Sequence, residues 1–171
     1  MNNAVNYDPI TLREVRESDL ELLRDHRNDP GTRVWLEDCS VISSAQQEHW
    51  YRHGGSMGVR IAVLAGKDLG LSRISVDAAA GVALVGLDLF RPYRGKGLAK
   101  SVFYQTCNAA LAAGAESLAL WVFWENEPAV RVYTAQNFAI DECAPVKWFV
   151  RQFPQEPHPA PHAYIKMIRH P

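Results

Sequence analysis

The stretch RPYRGKGLAK, residues 91–100, follows an apolar run, ALVGLDLF (83–90), and leads into good helix formers from Gly97 to about Ala113, closed by Gly114. A strand that ends in a glycine-rich loop and passes directly into a helix presents free backbone N–H groups at the positive end of that helix. Such a place holds anions, phosphates above all. Gly95 and Gly97 let the backbone approach a ligand without a Cβ in the way, and Arg94 and Lys96 add charge at the rim. Two familiar phosphate loops do not fit. The string G-x-x-x-x-G-K-[ST] is absent, and G-x-G-x-x-G fails at its third glycine, where Lys100 stands. An ordinary strand-to-helix turn remains the other reading of this motif taken alone.

Outward from the loop, alternation and punctuation divide the chain. Ile10–Val15 reads as a strand, and Ser18 and Glu21 have capping-box spacing for a helix over about Asp19–Arg27 that ends in the turn NDPG. SSAQQ opens a second helix, which runs to about His53. Strands follow at Val59–Leu64, Leu69–Val76 and Val82–Phe90, the first two joined by a hairpin at AGKD. After the glycine loop and its helix come a strand at Leu118–Phe123, a helix at Pro128–Gln136 and a strand starting at Phe138. Two last strands, Val146–Val150 and Tyr164–Ile168, flank the proline-rich PQEPHPAPH. Helices mixed with hairpin-linked strands, then a strand–loop–helix–strand–helix run, indicate one α/β (α+β) domain over 10–171 after a tail at 1–9.

Composition bounds the function. The chain has 171 residues, 47% hydrophobic and 22% charged, enough for one sizeable core. A formal net charge of −1 with no run of like charges argues against a nucleic-acid partner held through phosphates, including charged tRNA. The N-terminus has no secretory pattern and no apolar run could span a bilayer, so a cytoplasmic protein without membrane attachment is expected. The three cysteines lack metal or redox spacing and read as free thiols, with Cys107 in an Ala- and Leu-rich helix as core.

The motif Arg94-x-x-Gly97-x-Ala99 resembles the acyl-CoA pyrophosphate loop of the GNAT superfamily of N-acetyltransferases. Downstream, NEPAVRVYTAQNF (126–138) resembles the second motif of that family, N-x-x-A-x-x-x-Y-x-x-x-G-F, with Asn126, Ala129, Tyr133 and Phe138 at matching positions. LREVRESDLELL resembles the usual opening strand and helix, so the likeness spans about Ile10 to Asp141. Asn137 departs from the pattern, standing where a glycine usually ends the helix in a left-handed conformation. Asparagine is the next best residue there.

The resemblance implies a GNAT fold: a mixed, mostly antiparallel sheet of about seven strands with a splayed pair, and about four helices. It implies acetyl-CoA as co-substrate, with Leu89, Arg94, Gly95, Lys96, Gly97, Ala99 and Asn126 binding it, the Leu89 amide near the thioester. Tyr133 takes the place of the family's general acid for the departing thiolate; a core tyrosine is the other reading. Asn126 either contacts the pantetheine or caps a helix. Asp88, a carboxylate in an apolar strand, is either the base that takes the amine's proton or a group satisfied by structural partners, and Glu125 is the second candidate base. With no cysteine in a nucleophilic setting, direct attack in a ternary complex is expected.

The acceptor site is expected from the first two helices and their connection, with Arg27, Asn28, Arg33, Trp35 and His49 as candidate contacts. This region resembles two branches of the family, one acetylating amino-sugar nucleotides and one acting on ribosomal-protein N-termini. Cationic and aromatic residues suit a ring-bearing, phosphate-bearing acceptor, so a nucleotide-linked amino sugar is the first expectation. Protein N-terminal acetylation and a catalytically silent CoA-binding module are the alternatives. His49 and His53 have i, i+4 metal spacing but no third ligand, so no metal is expected. A monomer or homodimer is expected.

Overall fold

The computed structural model describes residues 10–153 and 156–170; the tail expected at 1–9 lies outside them. Strands β1 (Thr11–Glu14), β2 (Val59–Leu64), β3 (Lys67–Asp77) and β4 (Val82–Leu89) lie antiparallel, each beside the next. The chain then crosses over through helix α4 (Leu98–Ala112) to β5 (Ser117–Phe123), which is parallel to β4. Strand β8 (Ala160–Arg169) runs antiparallel to β5, and the short strands β6 (Ala139–Ile140) and β7 (Lys147–Arg151) pair with successive parts of β8. The described sheet has eight strands, one more than expected, in the order β1-β2-β3-β4-β5-β8-β6 with β7 also on β8.

Helices α1 (Leu20–Asn28), α2 (Pro30–Arg33) and α3 (Ser44–Arg52) cover one face of the sheet. Leu23 and Trp50 pack there on Ile61, Leu71 and Phe90. On the other face α4 and α5 (Glu127–Thr134) bring Phe103, Cys107, Ala110 and Tyr133 against Ala83, Val85, Leu118 and Leu120. Neighbouring Ile61 and Ala62 pack on opposite faces, as strand alternation requires; Ala62 meets Val102 of α4. Phe103 is fully buried, and its truncation to alanine costs about 3–5 kcal/mol on the usual scale for large core aromatics.

Two local expectations change. The fifth helix, α2, grows from the NDPG turn: Pro30 sits at the first helical positions, where its missing N–H costs nothing. The Ser18–Glu21 capping box does not form, because a 3₁₀ turn (Glu17–Asp19) leads into α1 instead. Asp19 organises that turn, accepting the Arg16 N–H at 2.8 Å and the Arg13 guanidinium at 2.7 Å. The second capping box does form: Ser43 Oγ accepts the Gln46 N–H at 3.2 Å, and Gln46 Oε1 accepts the Ser43 N–H at 2.8 Å. Asn137 has φ +66°, the left-handed conformation expected of it, and the Phe138 N–H returns to the Tyr133 carbonyl at 3.2 Å to close α5. No helix among the described residues is long and apolar enough to cross a membrane.

Candidate functional site

Strands β4 and β5 share three residue pairs, the last being Leu84 with Ala119, and then diverge. Next to β3, the Phe90 N–H donates to the Leu69 carbonyl at 2.9 Å. The alternation of an antiparallel ladder therefore turns the peptide groups of Leu87 and Leu89 away from β3, into the gap. On β5 the Trp124 N–H donates to the Ala163 carbonyl at 3.0 Å, so the peptide groups of Trp121 and Phe123 face the same gap. The Leu89 carbonyl is taken by Arg94 Nε at 2.9 Å and the Phe123 carbonyl by the Asn126 N–H at 3.0 Å. The Leu87 and Trp121 peptide groups and the Leu89 N–H are therefore what the wedge offers to an extended ligand lying as if it were a strand. The cleft at this splay encloses about 400 Å³.

At the mouth of the wedge a 3₁₀ turn (Arg91–Tyr93) and the loop Arg94–Gly97 lead into α4. Gly95 and Gly97 have φ +70° and +75°, where a side chain would be strained, and open space lies where their Cβ atoms would stand. The N–H groups of Gly95, Lys96 and Gly97 meet no backbone acceptor among the described residues. With the first amides of the 15-residue α4, where Ala99 sits in the opening turn, they form a cradle of donors at a helix N-terminus. A second cleft of about 940 Å³ adjoins it, lined by Lys96, Lys100, Tyr104, Gln136 and Arg169 among others. The free amides, the missing Cβ atoms and the flanking cations fit a nucleotide diphosphate chemically.

Arg94 stands elsewhere than at the rim. Its Nε donates to the Leu89 carbonyl at 2.9 Å, Nη1 to Asp29 at 2.9 Å and Nη2 to Thr32 Oγ1 at 2.6 Å. The guanidinium thus ties the loop to the start of α2. Burial alone would raise the Asp29 pKa; the Arg94 hydrogen bond and charge outweigh it and hold the carboxyl below its usual range.

The chemistry-bearing side chains meet where the sheet parts. Asp88 and Arg73 lie diagonally across the β3–β4 ladder and form an ion pair. Gly86 faces Arg73 and leaves room for it. The Asp88 carboxylate raises the Arg73 pKa against the opposing effect of burial. Tyr133 arrives from α5 with its ring 4.8 Å from that of Phe103, and it lines the same cleft as Arg73 and Asp88. Burial first, then the Asp88 charge, holds its phenol well above the ordinary value, so it stays protonated at neutral pH. Asn126 caps α5, accepting the Ala129 N–H at 3.4 Å, and also lines the cleft. Trp121 and Tyr164 stack 5.6 Å apart on the β5–β8 wall, and the Tyr164 phenol is pushed up to about 12 by burial and by Glu37.

Of the five expected acceptor contacts, Trp35 alone lines this cleft, packed on Phe153 with ring centroids 4.6 Å apart. Arg27 donates to the carbonyls of Ser40 and Asp38 at 3.1 and 2.6 Å, and Arg33 to that of Cys39 at 3.2 Å. Asn28 exchanges two hydrogen bonds with the Ile42 backbone, at 2.8 and 2.9 Å. These three side chains fasten the segment from Asp38 to Ile42 onto α1 and α2. His49 is exposed on α3 and stacks on His53 at 3.9 Å. Glu125 is held by His162 Nδ1 at 2.9 Å, while His162 Nε2 meets Glu156 at 3.0 Å. Cys107 is fully buried, and burial pushes its thiol up to about 11, which leaves no thiolate for nucleophilic attack.

Arg73, Trp121 and Tyr164 escaped the reading of the sequence. Each sits in an ordinary alternating strand, and only the register shows which strand faces open onto the cleft. The one available signal was the pairing of two opposite charges, Arg73 and Asp88, on strands joined by a short turn.

The chain matches the acetyltransferase (GNAT) domain family over residues 10–139. No curated protein matches it in sequence. Its fold is similar to that of a spermidine N-acetyltransferase from Vibrio cholerae in complex with CoA and spermine: 18% identity, 94% of this chain, 95% of that one, TM-score 0.76. A ribosomal-protein-alanine N-acetyltransferase from Brucella melitensis matches at 14% identity, 94% of this chain, 99% of that one, TM-score 0.70. The yncA protein from Salmonella typhimurium, with its cofactor acetyl-CoA, matches at 13% identity, 94% of this chain, 93% of that one, TM-score 0.69. With the family match covering most of its length and the splayed sheet in place, the chain belongs to the GNAT acetyltransferases and is an acyltransferase.

Proposed function

We propose that the protein is an acetyl-CoA-dependent N-acetyltransferase that acts on the primary amine of a small acceptor by direct attack in a ternary complex. The observation that carries this reading is that β4, which parts from β5 after Leu84, runs directly into the amide donors of Gly95–Gly97 at the start of α4, while Tyr133 lines the cleft at the splay. The cofactor's pantetheine bonds the free edge of β4, its pyrophosphate rests on the start of α4, and Lys96, Lys100 and Arg169 flank its nucleotide. CoA and acetyl-CoA accompany two of the similar structures, which supports the same co-substrate here.

Asp88 takes a proton from the acceptor's ammonium group, directly or through water, and the freed amine attacks the thioester carbonyl. As the C–S bond breaks, Tyr133 gives its proton to the sulfur and is reprotonated from solvent. The amide nitrogen sheds its remaining extra proton, so each turnover releases one proton in addition to the thiol and the N-acetyl product. Leu89 N–H supplies a donor where negative charge develops on the carbonyl oxygen.

The acceptor enters from the face that carries Trp35, Arg73 and Asp88, opposite α4 and α5. Arg27 and Arg33 are engaged with loop carbonyls, which removes the cations that favoured a nucleotide-linked amino sugar. A small acceptor without phosphate fits the remaining residues better. The test is amine-dependent thiol release from acetyl-CoA with mass detection of an N-acetyl product. Binding of acetyl-CoA without release, across amino sugars, polyamines, amino acids and peptides, would leave a silent CoA-binding module instead.

A further inference from the structure

We propose that Arg73 makes this a site for acceptors that carry a carboxylate beside the amine, namely α-amino acids with an apolar or aromatic side chain. The inference rests on the N-acetyltransferase reading above and narrows its acceptor. The guanidinium of Arg73 spends Nη1 on Asp88 and lies in the cleft with its side chain 41% exposed. Its remaining N–H groups meet no other hydrogen-bond partner among the described residues and are therefore free for a ligand oxygen.

The two charges sit side by side, and an α-amino acid carries its own two charges a single carbon apart. Its ammonium group can lie against Asp88 while its carboxylate accepts from the free edge of Arg73, so one ion pair becomes an alternating set of four charges. Guanidinium and carboxylate match as planar forks, which gives orientation as well as attraction. The acceptor's side chain then falls among Trp35, Trp121 and Tyr164, an aromatic setting in which the Lys147 ammonium over the Trp121 ring, 4.2 Å from its centroid, is already paired with Glu37.

The charge of the cleft also argues against a polyamine. Arg73 and Asp88 are the only charged residues among its described lining, and they neutralise each other. A polycation would find no unpaired carboxylate there and would meet Arg73 at close range. A protein N-terminus has the amine but lacks the adjacent carboxylate, so it leaves Arg73 unanswered.

The test is steady-state thiol release from acetyl-CoA with L-phenylalanine, L-phenylalaninamide, 2-phenylethylamine, glycine, spermidine and a phenylalanyl dipeptide. Wild-type enzyme should use L-phenylalanine about 10- to 100-fold better in kcat/KM than the amide or the decarboxylated amine, the range expected for a hydrogen bond to a charged group. Glycine should fall below L-phenylalanine. In Arg73→Gln the ratio of kcat/KM for L-phenylalanine over 2-phenylethylamine should fall to about one, a comparison in which the effect of losing the Arg73–Asp88 pair on the shared amine cancels. Arg73→Lys should restore part of the preference. The wild-type comparison stands even if a variant fails to fold. Equal or better use of the amide, the amine, spermidine or the dipeptide would overturn the carboxylate assignment and leave amine acetylation standing. Thiol release with none of this panel, in protein that binds acetyl-CoA, would also overturn the amino-acid assignment, and the N-acetyltransferase reading falls with it only if the wider set of amino sugars, polyamines and peptides gives no release either.

Discussion

Asp88 and Tyr133 reach the same cleft from opposite sides of the sheet, Asp88 from the face under α1–α3 and Tyr133 from α5, and the parting of β4 from β5 after Leu84 is what lets them meet. On the proposed function, Asp88 is the base for the incoming amine and Tyr133 the acid for the leaving thiolate, two groups that must flank the reacting carbonyl. Replacing Asp88 with asparagine should lower kcat/KM for the acceptor most at low pH, where the amine is protonated. The loss should shrink as pH rises from about 6 to about 10 and the amine deprotonates without help. A ratio of wild-type to Asp88→Asn rates that stays flat over that range would move the base elsewhere, with Glu125 next.

Tyr133→Phe keeps the ring against Phe103 and removes the hydroxyl. kcat should fall by about 10²- to 10⁴-fold, the usual worth of general acid catalysis, with acetyl-CoA affinity nearly unchanged. Single-turnover kinetics make the measurement independent of product release. A wild-type rate of acetyl transfer in that assay would return Tyr133 to the core.

Asn137 is one of two non-glycine residues with positive φ among the described residues. Alanine there should cost about 1 kcal/mol, because Cβ crowds the carbonyl in the left-handed region and alanine lacks the local hydrogen bonding of asparagine, while glycine should be neutral or slightly stabilising. Denaturant midpoints of the two variants would check the order; a reversed order would mean that the asparagine side chain, not the backbone, closes α5.

How much of this was legible beforehand depended on range. Asn137, the Ser43 capping box and the left-handed glycines of the loop follow from local backbone chemistry, so a few residues of sequence suffice to read them. For Arg94, Arg27, Arg33 and Asn28, a motif or a residue type shows which group is present but not what it reaches. Arg94 bonds to Asp29, 65 residues away, and the other three hold a connecting segment whose path no periodicity reveals. The cleft walls at Arg73 and Tyr164 depend on strand order, which is a long-range property.

His162 is nearly buried between two carboxylates. Burial alone would lower its pKa, but the Glu125 hydrogen bond and charge, with the Glu156 contacts, outweigh burial and raise it. A raised folded pKa means that the imidazolium stabilises the fold fully below the unfolded value of about 6.5, and that this stability is lost as pH rises through the folded value. Wild-type protein should therefore lose more stability than His162→Gln between pH 6 and pH 9. Thermal melts across that window would check it, and parallel pH profiles would refute the charged triad.

The central claim, a CoA pyrophosphate cradled at the start of α4, is tested most directly by calorimetric titration of acetyl-CoA into Gly97→Asn and Gly97→Asp. Both side chains are among the few that accept the left-handed conformation of Gly97, and they are nearly equal in shape, so backbone strain and bulk cancel between them. They differ by one negative charge placed where the anion should sit. The account predicts a modest loss of affinity for Gly97→Asn and a further loss of at least about 10-fold for Gly97→Asp, diminishing with added salt. Equal affinities for the two folded variants would contradict it.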